Sequence, residues 1–212
     1  MMLTYSPCKK LAGLFFIALF VISSPVLGQQ CFNLLPGLKS QDDYEFRELT
    51  FQKLSNEEHA LIETFFENIA DTRWEGKATN INCVGTEYTP KPRKREGILK
   101  ARIDDERNNN IKIKVIIKNK YSGITEREIV RFYITKDYLK KDSQSSLGKI
   151  KITGITPDTI SFRKSFILRD KGIQRRDNFY TLAHLGDKLI FEQVYYLQGM
   201  YVGEDVWQMK LK

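Results

Sequence analysis

The chain is poor in the residues and motifs that announce a reaction. Only two of its 212 residues are histidine and three are cysteine. His59 and His184 show no ligand spacing with any cysteine, which argues against a zinc or other structural metal site. No glycine-rich phosphate loop occurs, and no Ser or Cys stands in a nucleophile motif. The acidic pairs Asp104-Asp105 and Glu204-Asp205 fall at turns, where solvated carboxylates are the norm. The expectation is a protein that is not an enzyme and needs no cofactor or metal. No Asn-x-Ser/Thr sequon is present, which fits a bacterial source. Beyond the N-terminus, no apolar run approaches the ~20 residues of a membrane-spanning helix. No transmembrane anchor is therefore expected after leader cleavage.

The N-terminus carries the strongest signal that is present. Lys9 and Lys10 form a positive region without a nearby acid, and Leu11 to Ile22 is an uncharged apolar run. Ser23-Ser24-Pro25 breaks that run, and Val26-Leu27-Gly28 offers a compact cleavage site. Residues 1–28 thus read as a secretory signal peptide, with export to a periplasm or to the medium. Removing them, with Lys9 and Lys10, leaves 184 residues and lowers the formal charge from +8 to +6. That length suits one domain with a sizeable core. Cys8 leaves with the leader, so Cys31 and Cys83 remain as an even pair in a compartment that permits disulfides. A Cys31–Cys83 bridge is expected. Lipidation of Cys31 is disfavoured, because Gln29-Gln30 precedes it where a small residue is needed.

Residues 29–54 form a mixed N-terminal extension, with a turn signal at Pro36-Gly37. Ser55 and Glu58 then have capping-box spacing, and Leu61, Ile62, Phe65, Phe66 and Ile69 make one apolar stripe. A helix is predicted over Asn56 to Ala70. From Trp74 the period changes to two. In Ile111 to Lys118 the isoleucines and valine alternate with lysines, the pattern of a strand with one buried face. Similar runs are Trp74–Val84, Ile98–Asp104, Glu128–Ile134, Lys149–Ile155, Thr159–Leu168, Asn178–His184, Lys188–Leu197 and Asp205–Leu211. Turn clusters separate them, with no helical crossover. Residues 55–212 are thus expected to be mainly β: one N-terminal α-helix, then an antiparallel up-and-down β-barrel. A sandwich is the alternative. Closure is favoured because it removes exposed edges from a long meander. The links Gly85–Gly97 and Lys136–Gly148 read as loops, or as lids at a barrel mouth.

The helix followed by Asp71-Thr72-Arg73-Trp74-Glu75-Gly76, opening the first strand of an antiparallel meander, resembles the start of a lipocalin-like or calycin-type barrel. Thr72 stands where that family has glycine, and Asp177-Asn178-Phe179 is the nearest match to its later Thr-Asp-Tyr. The resemblance implies that Trp74 packs at a closed end beneath the helix. It also implies that the barrel encloses either a packed core or one small ligand.

Alternation then names the inward residues. They are Trp74, Leu99, Ile103, Ile113, Val115, Val130, Phe132, Ile150, Ile152, Phe162, Phe166, Leu189, Phe191, Tyr195, Trp207 and Met209. Candidate ligand contacts in the lumen are Trp74, Val130, Phe132, Phe162, Lys164, Phe191, Gln193, Tyr195 and Trp207. Lys164 is the charge within an otherwise apolar face, so it needs an anion or carboxylate, and could hold an acidic head group. Gln193 shares a face with Phe191 and Tyr195. The leading expectation is an exported, non-catalytic protein binding a small apolar or amphipathic molecule. The alternative is an envelope interaction protein with a filled core, attracted to an anionic envelope surface through Lys91-Pro92-Arg93-Lys94-Arg95 and its lysine-rich strand face. Nucleic acid is not an expected partner, since Asp104, Asp105 and Glu106 offset the basic run locally.

Overall fold

The computed structural model describes residues 31–41, 53–106, 110–134, 139–141, 149–168 and 174–212. The expected signal peptide lies outside them, as does most of the Lys136–Gly148 link. One helix, α1 (Asn56–Ile69), precedes ten strands: β1 (Arg73–Val84), β2 (Lys91–Glu106), β3 (Asn110–Asn119), β4 (Thr125–Ile134), β5 (Leu139–Lys141), β6 (Lys149–Thr156), β7 (Thr159–Leu168), β8 (Gln174–Leu185), β9 (Lys188–Leu197) and β10 (Met200–Leu211). Each run with period-two alternation lies within one of these strands.

The helix starts where its capping chemistry dictates. The Glu58 N–H donates to Ser55 Oγ at 3.1 Å, and the Ser55 N–H donates to Glu58 Oε2 at 2.8 Å. Glu57 and Glu58 also place negative charge at the positive end of the helix dipole. Its stripe of Ile62, Phe65, Phe66 and Ile69 is buried. The left-handed Asp71 (φ 53°) turns the chain at the helix exit. The Thr72 hydroxyl donates to the Ile69 carbonyl, and the Trp74 indole N–H donates to Thr72 Oγ1 at 2.7 Å. The start of β1 is thereby tied to the end of α1.

All strands pair antiparallel, in the order β5-β4-β3-β2-β1-β10-β9-β8-β7-β6. The chain begins at the middle of the sheet and meanders out to β5. It then passes to the far edge at β6 and meanders back until β10 joins β1. The result is a half-barrel. Among the described residues no ladder joins β5 to β6 across the seam of this curled sheet, whose helix-plus-antiparallel-meander form is the one expected. Helix α1 packs against β4 and β6, near the two ends of the sheet, and bridges that seam. Phe66 meets Phe132 of β4 with ring centroids 6.0 Å apart. The edge-burying task assigned to ring closure thus falls partly to a helix.

The concave face carries the core. Phe132 contacts Phe162 and Phe191 across the interior, at 5.8 and 6.5 Å between centroids. Phe191 in turn lies 4.6 Å from Trp207, and Phe162 stacks on Tyr180 at 4.8 Å. The residues assigned inward by alternation are buried, except Phe166 and Tyr195, which are half-buried.

The basic run is not a loop. Lys91 to Arg95 pair with Val84 to Asn80 and open β2. Ladder pairing of β3 reaches only Gly97, so this part of β2 is an overhang with one neighbour. Proline and clustered cations are tolerated there, and they discourage edge-to-edge pairing. Lysines and arginines therefore marked a strand edge that reads as a loop by composition.

At Gly76 of β1 the backbone of β10 leaves no room for a side chain. A Cβ at this position would fall 1.9 Å from the Gln208 carbonyl oxygen and 2.8 Å from Met209 Cα, both backbone atoms. Gly76→Ala is expected to push these strands apart and cost about 1–3 kcal/mol, the usual range for overpacking. A urea melt with an unshifted midpoint would show that the ladder has more room than this.

Candidate functional site

The inner face divides along its length. At the α1 end it is apolar, and Trp74 packs edge-on against His184 there, 5.8 Å between centroids and at 90°. At the other end, where β1 turns into β2 and β3 into β4, polar side chains occupy inward positions. Register puts Asn80 opposite Asp205 and Arg95, and Asn82 opposite Gly203 and Arg93. It puts Asp205 opposite Gln193, Gln193 opposite Tyr180, and Asn178 opposite both Tyr195 and Lys164.

These groups form a connected network. Asn82 Nδ2 donates to Asn80 Oδ1 at 2.6 Å, and Asn80 Nδ2 donates to Asp205 Oδ1 at 2.6 Å. The Tyr195 hydroxyl donates to Asp205 Oδ2. Burial first, and the Asp205 charge after it, push the Tyr195 phenol well above the ordinary tyrosine range. It therefore keeps its proton and acts as a fixed donor. The Arg176 guanidinium lies 4.7 Å from the centre of the Tyr195 ring, and its Nε donates to Asn178 Oδ1 at 3.2 Å. Asn178 and Gln193 each donate to the Tyr180 phenol oxygen at 3.0 Å. Such a network holds its members in one arrangement.

A cleft of about 190 Å³ opens beside this network. Ala78, Gly97, Ile117 and Trp207 supply its apolar lining, and Asn80, Asn82, Arg95, Asn119, Glu126, Glu128 and Asp205 its polar lining. Glu126 and Glu128 of β4 and Asp205 and Trp207 of β10 line the same cleft, so it lies between the two flanks of the half-barrel. The carboxylates do not form a metal centre: no group of three or more His, Cys, Asp or Glu side chains is arranged to hold an ion among the described residues.

The candidate lumen residues fall into four places. Trp207 lines the cleft, while Gln193 and Tyr195 belong to the network beside it. Lys164 is buried on the inner face of β7 next to Asn178, with Nζ 5.9 Å from the centre of the Phe166 ring. Phe132, Phe162 and Phe191 pack against one another in the core, with Val130 buried beside them in the same cluster. Trp74 lies at the opposite end of β1, where it seals the helix junction instead of meeting the cleft. Sequence reasoning missed Asn80, Asn82, Arg95, Glu126, Glu128, Asn178 and Asp205. Strand parity held the signal: Asn80 and Asn82 share the face of Trp74, and Asp205 shares the face of Trp207.

No family model and no curated protein sequence matches the chain. Among solved structures it is similar to the 12:0-ACP thioesterase from Umbellularia californica, at 9% identity over 67% of this chain and 75% of that one. The TM-score is 0.19, a likeness too low to bear on fold or activity.

Proposed function

We propose that this is an exported, non-catalytic protein that binds a small amphipathic molecule end-on at the polar mouth of the half-barrel. The observation that carries the reading is the cleft itself, in which an apolar lining from Trp207, Ala78 and Ile117 adjoins a fixed polar wall. Its volume is below the roughly 300–1,000 Å³ of drug-sized sites. The packed aromatic interior fits a ligand whose short apolar part rests on Trp207 better than a long chain threaded down the lumen. The ligand's polar end is rich in hydrogen-bond donors, an ammonium or hydroxyls, because the carboxylates of Asp205, Glu126 and Glu128 outnumber Arg95, the cation of the lining. The lipocalin-type likeness enters here as a mode of containment, a curled antiparallel sheet holding a guest at one end. Asp205 and Tyr195, the groups best placed to move a proton, are locked to each other and to Asn80, which favours binding without turnover. The Cys31–Cys83 disulfide supports export, since such bonds persist in oxidising compartments.

Native mass spectrometry of protein purified from its own host is expected to show a small adduct. Asp205→Asn keeps the shape of the site and removes its charge. It should weaken retention of the adduct at least tenfold, in line with the ~1.5–3 kcal/mol of a hydrogen bond to a charged group. An adduct-free wild-type protein, or equal retention by Asp205→Asn, would refute the assignment.

A further inference from the structure

The cleft end of the half-barrel also carries exposed apolar side chains among cations. Tyr88, at the β1–β2 turn, is 87% exposed; Tyr121 and Ile124, at the β3–β4 turn, are 75% and 62% exposed. Isolated exposed apolar residues are ordinary, but these are not isolated. Both turns project from the same end of the sheet, and an apolar ridge continues from them down its convex face. Register places Ile98 of β2 one rung above Ile116 of β3, and Ile116 one rung above Ile129 of β4. Diagonal neighbours of this kind lie roughly 7–8 Å apart. All three isoleucines are exposed.

Cations surround the ridge. Lys118 is opposite Ile98, Lys100 and Arg127 flank Ile116, and Lys114 is opposite Ile129. Four carboxylates of this face do not neutralise it, because each is shared by two basic groups. Glu96 serves Lys94 and Lys120, Glu75 serves Lys100 and Lys212, Asp104 serves Arg102 and Lys114, and Glu106 serves Lys112 and Arg131. The face is therefore net positive, with tyrosine at the turn tips.

We infer that this end and its convex face dock on an anionic phospholipid surface, with Tyr88, Tyr121 and Ile124 entering the headgroup boundary and the surrounding lysines and arginines meeting lipid phosphates. Charge complementarity selects the occupant. Juxtamembrane cations are drawn to anionic lipid within a Debye length, and tyrosine is suited to the interface because it has an apolar ring and a polar tip. The inference does not depend on what the cleft binds.

The test is vesicle co-sedimentation of the disulfide-intact protein. Vesicles of phosphatidylcholine with 30% phosphatidylglycerol are compared with phosphatidylcholine alone, at low salt and at 0.5 M salt, roughly fifty-fold above the ionic strength that gives a 30 Å Debye length. Binding is expected only to the anionic vesicles, and to fall at least tenfold at high salt. Lys118→Glu with Lys120→Glu should lower it by at least tenfold. Tyr88→Ser with Tyr121→Ser and Ile124→Ser should weaken it while leaving its salt dependence in place. All five positions are exposed, so unchanged urea midpoints show that the variants fold. Equal binding to neutral vesicles, no binding to either kind, or indifference to both sets of substitutions overturns the inference. So does a wild-type dimer in sedimentation velocity that the triple serine variant abolishes, since a second copy would then cover this end.

Discussion

Trp74→Ala is expected to lower the urea midpoint more than any other single truncation in the helix–sheet junction. Trp74 is 1% exposed, its indole N–H is bonded to Thr72, and its ring packs against His184. Truncating a large core aromatic costs about 3–5 kcal/mol, because the lost burial is added to a cavity that neighbours fill incompletely. That is a large share of the roughly 5–15 kcal/mol by which a domain is stable. The loss here has a second part. Thr72 bonds onward to the Ile69 carbonyl, and its own carbonyl accepts from the Ile103 N–H at 3.0 Å. Removing the indole loosens the joint that holds α1 against β1 and β2. Lys112→Ala is the comparison. Its half-buried side chain pairs with Glu106 on the outer face at 3.0 Å, and ion pairs open to water contribute about 0–1 kcal/mol. Two urea melts with the disulfide intact decide the matter. Equal midpoints for Trp74→Ala and wild type would mean that the junction does not hold the fold together.

Replacing Cys31 and Cys83 with serine is the second change with a large expected effect. The bond spans a sequence separation of 52. Restricting an unfolded loop of that size is worth about 4 kcal/mol in the chain-entropy model. The bond also positions a cover. Residues beyond Cys31 run beside the start of β10, with the Phe32 N–H donating to the Tyr201 carbonyl at 2.9 Å and the Tyr201 N–H donating to the Asn33 carbonyl at 2.8 Å. Ladder pairing of β1 with β10 extends only to Gly203, so this segment occupies the edge that β10 would otherwise leave open. The double serine variant should unfold at a clearly lower urea concentration than the wild type. Reductant should shift the wild type and leave the variant unmoved. A reductant shift common to both would place the effect somewhere other than this bond.

Local chemistry made most of the fold legible. The capping box placed the start of α1 to the residue, since Ser55 and Glu58 satisfy each other's backbone without help from the rest of the chain. Alternation located the strands, because a sheet with one wet face and one dry face must repeat every two residues. What it could not locate was any feature set by pairing. The overhang of Lys91 to Arg95 is a strand only because β1 continues beside it. The seam depends on where β5 and β6 end, and strand content alone does not fix whether the two edges of a sheet meet. The cleft was hidden for a related reason. Asn80, Asn82 and Asp205 hold inward parity but have polar side chains, so each alone resembles a frayed strand end. Only the register that sets β1 beside β10 shows them to be one network. Lys164 and Gln193 could be picked out because each interrupted an apolar face; Gln193 is a member of that network and Lys164 lies beside it, opposite Asn178.

The path of the chain through the sheet sets an order for its assembly. The first and last of the ten strands are neighbours at the centre of the sheet, and the Asn80–Asp205 bond across their ladder joins residues 125 positions apart. The meanders β1 to β5 and β6 to β10 can each zip up through short hairpins. Their union must wait until β10 is available, and closing so long a loop is slow. Until then each half offers a bare edge and an uncovered apolar face, the combination that makes partly folded chains aggregate. A chain wired in this way folds best where it meets few copies of itself before β10 has joined β1.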